Sequence, residues 1–412
     1  MRPPLALLLF AAASARAAAL PGFRVQLVGT TAGFASSIAI DSHTTIYYTT
    51  TAGNVFRFSD GQSKLVTHVN TVAIGDSGLL GMALRDDNTA VVHYTTPGQT
   101  ADIIATIDLT TGVETILQSF VCDKDLPQRG SPPEHHGGNP SVAEDGSIFV
   151  GIGDYGGGAI AALPDWNGGK IFRLHPDGTV EQFARGLRNP FDVSWDAAKQ
   201  RLIAPDNGVL ADDEINVVHQ GDFLGWPYTM GNAPAIDGAT APIYVFPKIV
   251  APTGLIAVNG HNPMFRTGYL LGGFVTKAIY YVPDIDLRPL PDPIPIIAGN
   301  AGYIIDIAQT SEGDVYFVSG SAIFKLVEPQ RGDCNGDGLV NSADVAALAQ
   351  ELLDGNPQPT TSAQKGSFPG SWGCDVNGDG VINSHDMTAL LSLVSVRSRA
   401  VRGGRNSSSD RH

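Results

Sequence analysis

A strand-like pattern that repeats about every 45 residues is the feature that most limits how this chain can fold. In each repeat, an alternating apolar and polar run leads to an Asp- or Gly-rich turn and then to further runs. Period-two alternation with such turns is typical of antiparallel sheets, and a repeat of about 40–50 residues is typical of propeller blades. The six repeats cover residues 34–62, 78–112, 135–179, 189–221, 251–286 and 303–329.

The repeat predicts a mainly β fold in which residues 20–329 form a six-bladed β-propeller. Helical periodicity is absent from this part of the chain. A β-sandwich or a solenoid is the alternative. Propellers bind ligands at the central axis, where loops from all the blades converge, so polar residues in those loops are the candidates for a site.

The acidic balance of the chain excludes one class of partner. The sequence has 26 Lys and Arg residues against 41 Asp and Glu residues, a formal net charge of −15. Excess negative charge repels phosphate backbones, so we expect no nucleic-acid partner. A hydrophobic content of 43% suffices for a core and excludes global disorder.

The first 19 residues have the pattern of a secretion signal. Arg2 supplies a positive start, residues 5–15 are apolar, and residues 17–19 are small. A membrane anchor is the alternative, but a bilayer span needs about 20 apolar residues. We therefore predict that residues 1–19 are cleaved, that the mature chain has no transmembrane segment, and that it is extracellular or associated with the cell surface. A bacterial periplasm is the alternative location.

The C-terminal part carries two twelve-residue loops, 333–344 and 375–386, each followed by a short apolar helix. Oxygen-bearing side chains at positions 1, 3, 5, 9 and 12, a backbone carbonyl at position 7 and Gly at position 6 are typical of EF-hand calcium loops. Asx-turn loops without metal are the alternative. The predicted Ca²⁺ ligands are Asp333, Asn335, Asp337, Leu339, Asn341, Asp344, Asp375, Asn377, Asp379, Val381, Asn383 and Asp386.

The tandem loops and their helices resemble a type I dockerin, a small calcium-folded F-hand module that docks onto cohesin. The resemblance covers residues 330–396 and implies a cohesin-like partner, with dimerisation as the alternative. Ser342 and Ser384 match the family's recognition position, whereas Ala343 and His385 beside them depart from it. The remaining residues, 397–412, are rich in Arg, Gly and Ser and are predicted to form a disordered basic tail.

Export makes disulfides possible for the three cysteines. Cys334 and Cys374 each lie beside one of the calcium loops, so we predict that they pair. In the entropic model, closing about 40 residues stabilises the module by about 4 kcal/mol. Cys122 is then odd and is predicted to be a buried thiol.

Three loops of the repeat region carry residues suited to chemistry. His135 lies in the loop that enters the third blade, Asp154 follows that blade's second strand, and Arg188 enters the fourth blade. An imidazole, a carboxylate and a guanidinium suit a general base, its orienting partner and an electrophilic clamp. The alternative is that they are ordinary turn and ion-pair residues.

The blade motifs resemble the glucose/sorbosone dehydrogenase family of soluble quinoproteins, which oxidise aldose sugars. The resemblance implies pyrroloquinoline quinone and Ca²⁺ as cofactors and a sugar as substrate. It implies that His135 is the base, that Asp154 orients it, and that Arg188 and Asn189 contact the quinone or the substrate. The matching stretches are 135–154 (HHGGNPSVAEDGSIFVGIGD), 168–178, 186–190 (GLRNP), 213–227 (DEINVVHQGDFLGWP) and 251–255.

The same resemblance implies further residues for the cofactor and for a propeller calcium ion. The implied cofactor-binding residues are Asp76, Arg188, Asn189 and Lys277. The implied calcium ligands are Asp213 and Glu214, together with the backbone oxygens of Gly208 and Val209.

The sequence departs from the family where the three carboxylates of the quinone need cations. Val275 stands where the family has a lysine, with Lys277 two residues on, and the stretch Tyr303-Ile304-Ile305 just before Asp306, where the family has two arginines, contains no cation. Each lost charge-assisted hydrogen bond removes about 1.5–3 kcal/mol. Two hypotheses follow from these departures.

The first hypothesis is an active sugar dehydrogenase that binds the quinone through a rearranged set of cations, such as Arg188, Lys277 or Arg173. The second is a catalytically degenerate propeller that acts as a sugar-binding or scaffold module. In both, the dockerin-like module tethers the propeller to a partner.

Overall fold

The computed structural model has a six-bladed β-propeller followed by two helices, as the repeat and the C-terminal pattern predict. The predicted signal peptide up to residue 17, the linker 354–372 and the end of the chain after residue 403 lie outside the described residues. The structure describes residues 18–19, 23–122, 134–234, 236–262, 265, 267–282, 285–286, 290, 292–298, 302–328, 330–335, 337–353, 373–377 and 382–403.

Two strands precede the first blade and pair with later ones: β1 (Ala18–Ala19) and β2 (Arg24–Thr30). The first blade consists of β3 (Ala35–Ile40), β4 (Ile46–Thr50), β5 (Asn54–Ser59) and β6 (Gln62–His68). The second consists of β7 (Leu79–Asp86), β8 (Thr89–Thr95), β9 (Ala101–Asp108) and β10 (Glu114–Val121). The third consists of β11 (Ser141–Val142), β12 (Ile148–Ile152), β13 (Lys170–Leu174) and β14 (Val180–Arg185).

The remaining blades follow the same order from the axis outward. The fourth consists of β15 (Ser194–Asp196), β16 (Arg201–Asp206), β17 (Glu214–Val218) and β18 (Tyr244–Val245). The fifth consists of β19 (Pro252–Ala257), β20 (Tyr269–Gly273), β21 (Ala278–Val282) and β22 (Ile294–Ala298). The sixth contains β23 (Asp306–Gln309), β24 (Val315–Ser319) and β25 (Ala322–Val327).

The N-terminal strand closes the ring. β2 pairs antiparallel with β25 and supplies the fourth strand of the sixth blade, and β1 pairs with β22. Both ends of the propeller thus meet in one sheet, which removes the open edge that a linear array would expose. The repeat analysis began at residue 34 and did not predict this closure, because β2 is separated by the whole propeller from the strands it completes.

The ring of inner strands is tied together by buried polar side chains. Asp306 on β23 accepts hydrogen bonds from Ser37 Oγ (2.7 Å) and from the backbone N–H of Ile38 (2.8 Å). Asp192, just before β15, accepts one from Leu255 N–H (2.6 Å) and one from Asn139 Nδ2 (3.3 Å). Burial raises the pKa of Asp306 to about 7, so the carboxyl carries its proton when the solution is mildly acidic.

The spaces between the blades are filled by apolar side chains. Central strands such as β4 (IYYTT) are buried on both faces, because each blade is covered by its two neighbours. Stacked rings support the packing, for example Phe120 on Phe172 at 4.3 Å between centroids. Cys122 is buried in the core next to the third blade, as predicted.

The C-terminal module has its own small core. Helices α1 (Ser342–Leu353) and α2 (Ser384–Gly403) pack around Val340, Leu348 and Leu390, which are buried. Cys334 and Cys374 form the predicted disulfide across the start of the two loops. A core of this size is too small to stabilise a fold on its own, so the module depends on additional restraints.

The end of the module differs from the prediction. Helix α2 ends at Gly403, well inside the segment 397–412 that the sequence predicted as a disordered tail. The apolar spacing of the helix continues through Val394 and Val401, and the helix ends where two glycines follow each other, an ordinary helix stop. Helix α2 thus continues past residue 396, the predicted end of the module.

Candidate functional site

Three loops of the third blade carry the residues predicted for catalysis. In the third blade, the segment before β11 carries His135, the loop after β12 carries Asp154 and the loop after β14 carries Arg188. Since neighbouring strands of a blade run antiparallel, the start of β11 and the ends of β12 and β14 lie at the same end of the sheet. The topology thus brings together the three predicted catalytic residues.

His135 and Asp154 form a closely bonded pair. His135 Nδ1 lies 2.6 Å from Asp154 Oδ1, with the histidine side chain 15% exposed and the carboxylate 2% exposed. Because the carboxylate only accepts hydrogen bonds, it holds the proton on Nδ1 and leaves Nε2 as the acceptor. A buried aspartate that orients a partly exposed histidine is an arrangement suited to general-base chemistry.

Neighbouring groups fix the orientation of Asp154. Its Oδ2 accepts a hydrogen bond from Trp226 Nε1 at 2.8 Å and another from the Gly158 N–H, and its Oδ1 also accepts one from Gly156 N–H. The sequence did not predict the contribution of Trp226, because the residue lies in a later blade. The only sequence signal was its place in the GWP stretch.

The backbone at His135 is held in an unusual conformation. His135 has φ of 65°, and its N–H donates to Asp76 Oδ2 at 2.5 Å. A Cβ on Gly153 would collide with the His135 carbonyl, so only glycine fits there. Asp76, predicted as a cofactor residue, thus positions the histidine, and its other oxygen, Oδ1, is buried without a hydrogen-bond partner.

A second buried histidine lies directly behind the pair. His136 Nδ1 is 3.1 Å from Asp102 Oδ1, and Thr95 Oγ1 donates to the same carboxylate at 2.8 Å. Burial alone would raise the pKa of Asp102, but the charge of His136 and these hydrogen bonds outweigh it and hold the pKa below its usual value. This cluster anchors the loop that presents His135.

Arg188 and Asn189 follow β14, and hydrogen bonds hold both of them in place. Their N–H groups donate to the two oxygens of Asp206, at 2.8 and 2.7 Å. Burial, together with the nearby charge of Glu214, raises the pKa of Asp206 to about 8. The Arg188 guanidinium donates through Nη1 to the carbonyls of Asn207 (2.9 Å) and Gly208 (3.0 Å).

The acidic residues predicted to bind a propeller calcium ion already accept hydrogen bonds from backbone N–H groups. Asp213 accepts three backbone hydrogen bonds, from Gly208, Val250 and Ala251. Glu214 accepts one from the Gly231 N–H, and burial raises its pKa to about 7. These contacts fix the corner between the fourth and fifth blades.

The arrangement does not fit a cation bound between Gly208 and Val209. The Gly208 carbonyl already accepts from a guanidinium, while Val209 is half exposed. Across the described ranges, no three His, Cys, Asp or Glu side chains are grouped as a metal site.

The positions where cations were expected to hold the quinone are apolar. Val275 and Tyr303 are 52% and 44% exposed, and Ile305 is buried. Tyr303 stacks on Phe274 with centroids 4.3 Å apart, and Lys277 Nζ lies 5.0 Å from the centre of the Tyr303 ring. Lys277 therefore contacts the ring that replaces one of the expected arginines.

Arg173 lies at the wrong end of the propeller to serve the site. It pairs with Asp145 at 2.6 Å and with Ser147 at 3.1 Å, both in the turn between β11 and β12. That turn is at the opposite end of the blade from the loop after β12. The hypothesis that Arg173 contributes to a rearranged set of cations is wrong.

The described parts of the two predicted calcium loops share one hydrogen-bond pattern. Their last aspartates, Asp344 and Asp386, each accept two backbone hydrogen bonds from within their own loop. For Asp344 these come from Asn335 (3.1 Å) and Asn341 (2.8 Å). For Asp386 they come from the equivalent residues Asn377 and Asn383. Of the predicted ligands, Asp379 and Val381 lie outside the described residues.

The first loop fits a bound cation. Asp333 Oδ1 is buried and has no hydrogen-bond partner, while its Oδ2 accepts from the Gly338 N–H at 2.8 Å. Burial, followed by the nearby charges of Asp344 and Asp337, raises the pKa of Asp333. Carboxylates that repel one another around an unsatisfied oxygen are what a calcium ion stabilises.

Comparison with known proteins agrees with this architecture. The sequence model of the Glucose / Sorbosone dehydrogenase family matches residues 35–327, and that of the Dockerin type I domain matches residues 331–395. Quinoprotein glucose dehydrogenase B of Acinetobacter calcoaceticus is 24% identical over 225 residues, which is 43% of this chain and 47% of that protein. The chain spans about half the length of the curated relatives it matches.

Solved structures share the propeller. The PQQ-bound aldose sugar dehydrogenase of Streptomyces coelicolor superposes with a TM-score of 0.62 at 21% identity, covering 75% of this chain and 99% of that one. The apo form of the soluble aldose sugar dehydrogenase of Escherichia coli gives 0.61 at 16% identity, covering 74% and 99%. At these identities the likeness shows the fold alone.

Neither described helix is long and apolar enough to cross a membrane.

Proposed function

Since the chain belongs to the glucose/sorbosone dehydrogenase family, we propose that its propeller binds a sugar at the axial loops and that His135 takes the proton from a sugar hydroxyl. The observation that carries this proposal is the 2.6 Å contact between His135 Nδ1 and the buried carboxylate of Asp154. It supports a base whose Nε2 faces the loops and whose tautomer is fixed.

The chemistry of the pair follows from its geometry. A sugar hydroxyl that donates to His135 Nε2 is placed to give up its proton there as a hydride leaves the same carbon for an acceptor, and Asp154 stabilises the resulting imidazolium through Nδ1. Without an acceptor, the hydroxyl keeps its proton and the contact is a hydrogen bond. Trp226 and the Gly158 N–H hold the far oxygen of Asp154, so the carboxylate cannot turn away. A positioned base of this kind contributes about 10²–10⁴-fold to the rate of such a step.

In the dehydrogenase version of this function, pyrroloquinoline quinone would supply the redox chemistry. The residues present do not fit the three carboxylates of that cofactor, because Val275, Tyr303 and Ile305 stand where its cations were expected. No step of the mechanism is therefore assigned to the quinone.

This mismatch favours a second candidate function, a sugar-binding propeller that has lost oxidation. The fold and the His135–Asp154 pair would then serve to hydrogen-bond a sugar. Both candidates share the axial sugar site, and they differ only in whether the sugar is turned over.

We further propose that the chain is exported through residues 1–19 and tethered by its C-terminal module. The dockerin type I match implies calcium binding and a cohesin-like partner. Ser342 and Ser384, at equivalent positions of the two loops, are both exposed at the start of their helices. Two equivalent exposed surfaces are consistent with docking onto a partner protein.

The test of the proposed function uses the full chain and its His135→Ala variant. We expect calorimetry to detect binding of an aldose such as glucose or xylose to the wild type, and binding to weaken in the variant while the melting temperature is unchanged. Dye-linked oxidation with added quinone and Ca²⁺ separates the two candidates: turnover supports the dehydrogenase, and binding without turnover supports the sugar-binding module. Equal binding by both proteins would contradict the assignment of His135.

A further inference from the structure

We infer that the axial mouth selects uncharged ligands, so that it excludes the tricarboxylate quinone and prefers a neutral sugar to its acidic counterpart. The axial mouth comprises the loops at the His135 end of the propeller, including residues 74–76, 134–138, 186–190, 247–251, 274–277 and 302–305. The preference among sugars rests on the proposed sugar site, whereas the exclusion of the quinone does not.

The first support is that two cations of the axial mouth, Arg188 and Lys277, already make contacts, whereas the third, Lys248, is exposed. Both carbonyls that Arg188 Nη1 contacts, those of Asn207 and Gly208, lie within 3.0 Å. Lys277 lies over the Tyr303 ring, an attraction that a carboxylate would have to disrupt. An incoming anion would therefore compete with the backbone carbonyls for Arg188 Nη1 and with the Tyr303 ring for Lys277.

The second support is the acidic side chains beside His135. Asp76 keeps one carboxylate oxygen buried and without a hydrogen-bond partner, and Asp154 is buried beside it against His135. Glu134 is exposed at the edge of the same loop. Like charges at short range inside a protein repel strongly, because water screens them poorly.

The third support is the apolar surface on the far side of the axial mouth. Ile249, Val275 and Tyr303 come from three successive loops and are each between 43% and 52% exposed. The loops are joined by the hydrogen bond from Val275 N–H to the Val250 carbonyl and by the stack of Tyr303 on Phe274. Exposed apolar groups that adjoin polar ones suit a ligand with C–H faces and hydroxyl edges, such as a neutral pyranose.

The first part of the test, the quinone arm, measures quinone binding after two positive charges are introduced into the axial mouth. Pyrroloquinoline quinone is titrated with Ca²⁺ into the wild type and into the double variant Val275→Lys, Tyr303→Arg, and binding is followed by calorimetry and by the absorbance of the quinone. Both positions are exposed, so the changes should leave the fold intact, which circular dichroism checks. We expect no saturable binding to the wild type and an affinity at least about a hundredfold higher in the variant.

A matched control separates local from general electrostatics. Val113→Lys with Ile116→Arg adds the same two charges on the outer edge of the second blade, where both side chains are 59% exposed. This control should not gain affinity for the quinone. Stoichiometric micromolar binding to the wild type, or an equal gain in the control, would overturn the inference.

The sugar arm compares glucose with glucuronate, which differ by one carboxylate, on the wild type at neutral pH. We expect glucose to bind at least about tenfold more tightly, the loss expected when one anion meets an unpaired acidic site. Equal or tighter binding of glucuronate would overturn the preference for neutral ligands. Binding of neither sugar would contradict the proposed function, and the quinone arm alone would then decide whether the axial mouth excludes anions.

Discussion

Removal of calcium should unfold the C-terminal module while the propeller stays folded. In the first loop, Asp333 has one buried oxygen without a partner, and Asp337 and Asp344 lie near enough to raise its pKa. Without a cation, the module would have to keep the buried oxygen of Asp333 unsatisfied and close to the charges of Asp344 and Asp337. Such an oxygen alone costs about 1–3 kcal/mol.

The magnitudes indicate which effect dominates. A ligand present at about a thousandfold excess over its dissociation constant stabilises a fold by about 4 kcal/mol per site, or about 8 kcal/mol for two loops. A module of 65 residues has about 3–10 kcal/mol of stability in all. The Cys334–Cys374 disulfide supplies about 4 kcal/mol in the entropic model, too little to offset the loss of both ions.

Hydrogen exchange on the full chain measures this directly. With Ca²⁺ present, amides in α1 and α2 should be protected, and a chelator should remove that protection without changing the propeller strands. The Asp344→Ala variant should need more Ca²⁺ to reach the same protection. Unchanged protection of both helices in excess chelator would refute the reasoning that the ions hold the module together.

Three further predictions concern the axis, the disulfide and the candidate base. Because burial raises the pKa of Asp306 to about 7, its contribution is complete below about pH 4 and is lost as the pH rises through 7. Denaturant titrations should therefore show up to about 4 kcal/mol less stability at pH 8 than at pH 4 from this group, and the dependence should be smaller in Asp306→Asn; an identical pH profile in the variant would contradict this. Replacing Cys334 and Cys374 by serine should lower the free energy of unfolding of the module by about 4 kcal/mol, and an unchanged calcium requirement for folding would argue against it. Asp154→Asn should weaken sugar binding or turnover by about tenfold or more, since a charge-assisted bond to His135 contributes about 1.5–3 kcal/mol; wild-type values would exclude an orienting role.

The repeat was enough to predict the propeller because it is a local signal. Alternating runs and turns such as 141–154 specify a hairpin without reference to the rest of the chain, and six of them in a row leave few other folds. The local pattern could not predict that β2 closes the ring. Arg24 pairs with Val327 at the other end of the propeller sequence, and a repeat within single blades carries no information about such a distant pairing.

The candidate site was partly predictable for the same reason. His135 and Asp154 flank strands of one blade, so the blade itself brings them together. Trp226 donates a hydrogen bond to Asp154 from 72 residues away, and its place in the GWP stretch does not indicate that partner. The sequence was enough to show that expected cations of the quinone site are missing. Only the structure shows that the Arg188 guanidinium donates to backbone carbonyls.

In the C-terminal module, the sequence predicted the disulfide but not the length of helix α2. Cys334 and Cys374 each lie at the start of one loop, which was enough to predict that they pair, and the structure confirms the disulfide. The tail was judged by its composition of Arg, Gly and Ser, whereas its helical spacing continued to Gly403. Periodicity outweighs composition where a helix already has a packed start.

A crystal structure of the full chain soaked with a neutral aldose would test the central claim most directly. The account predicts a sugar ring at the axial mouth with a hydroxyl within hydrogen-bonding distance of His135 Nε2 and its apolar face towards Val275 and Tyr303. A sugar bound elsewhere, with the axial loops unchanged and His135 without a ligand, would contradict it.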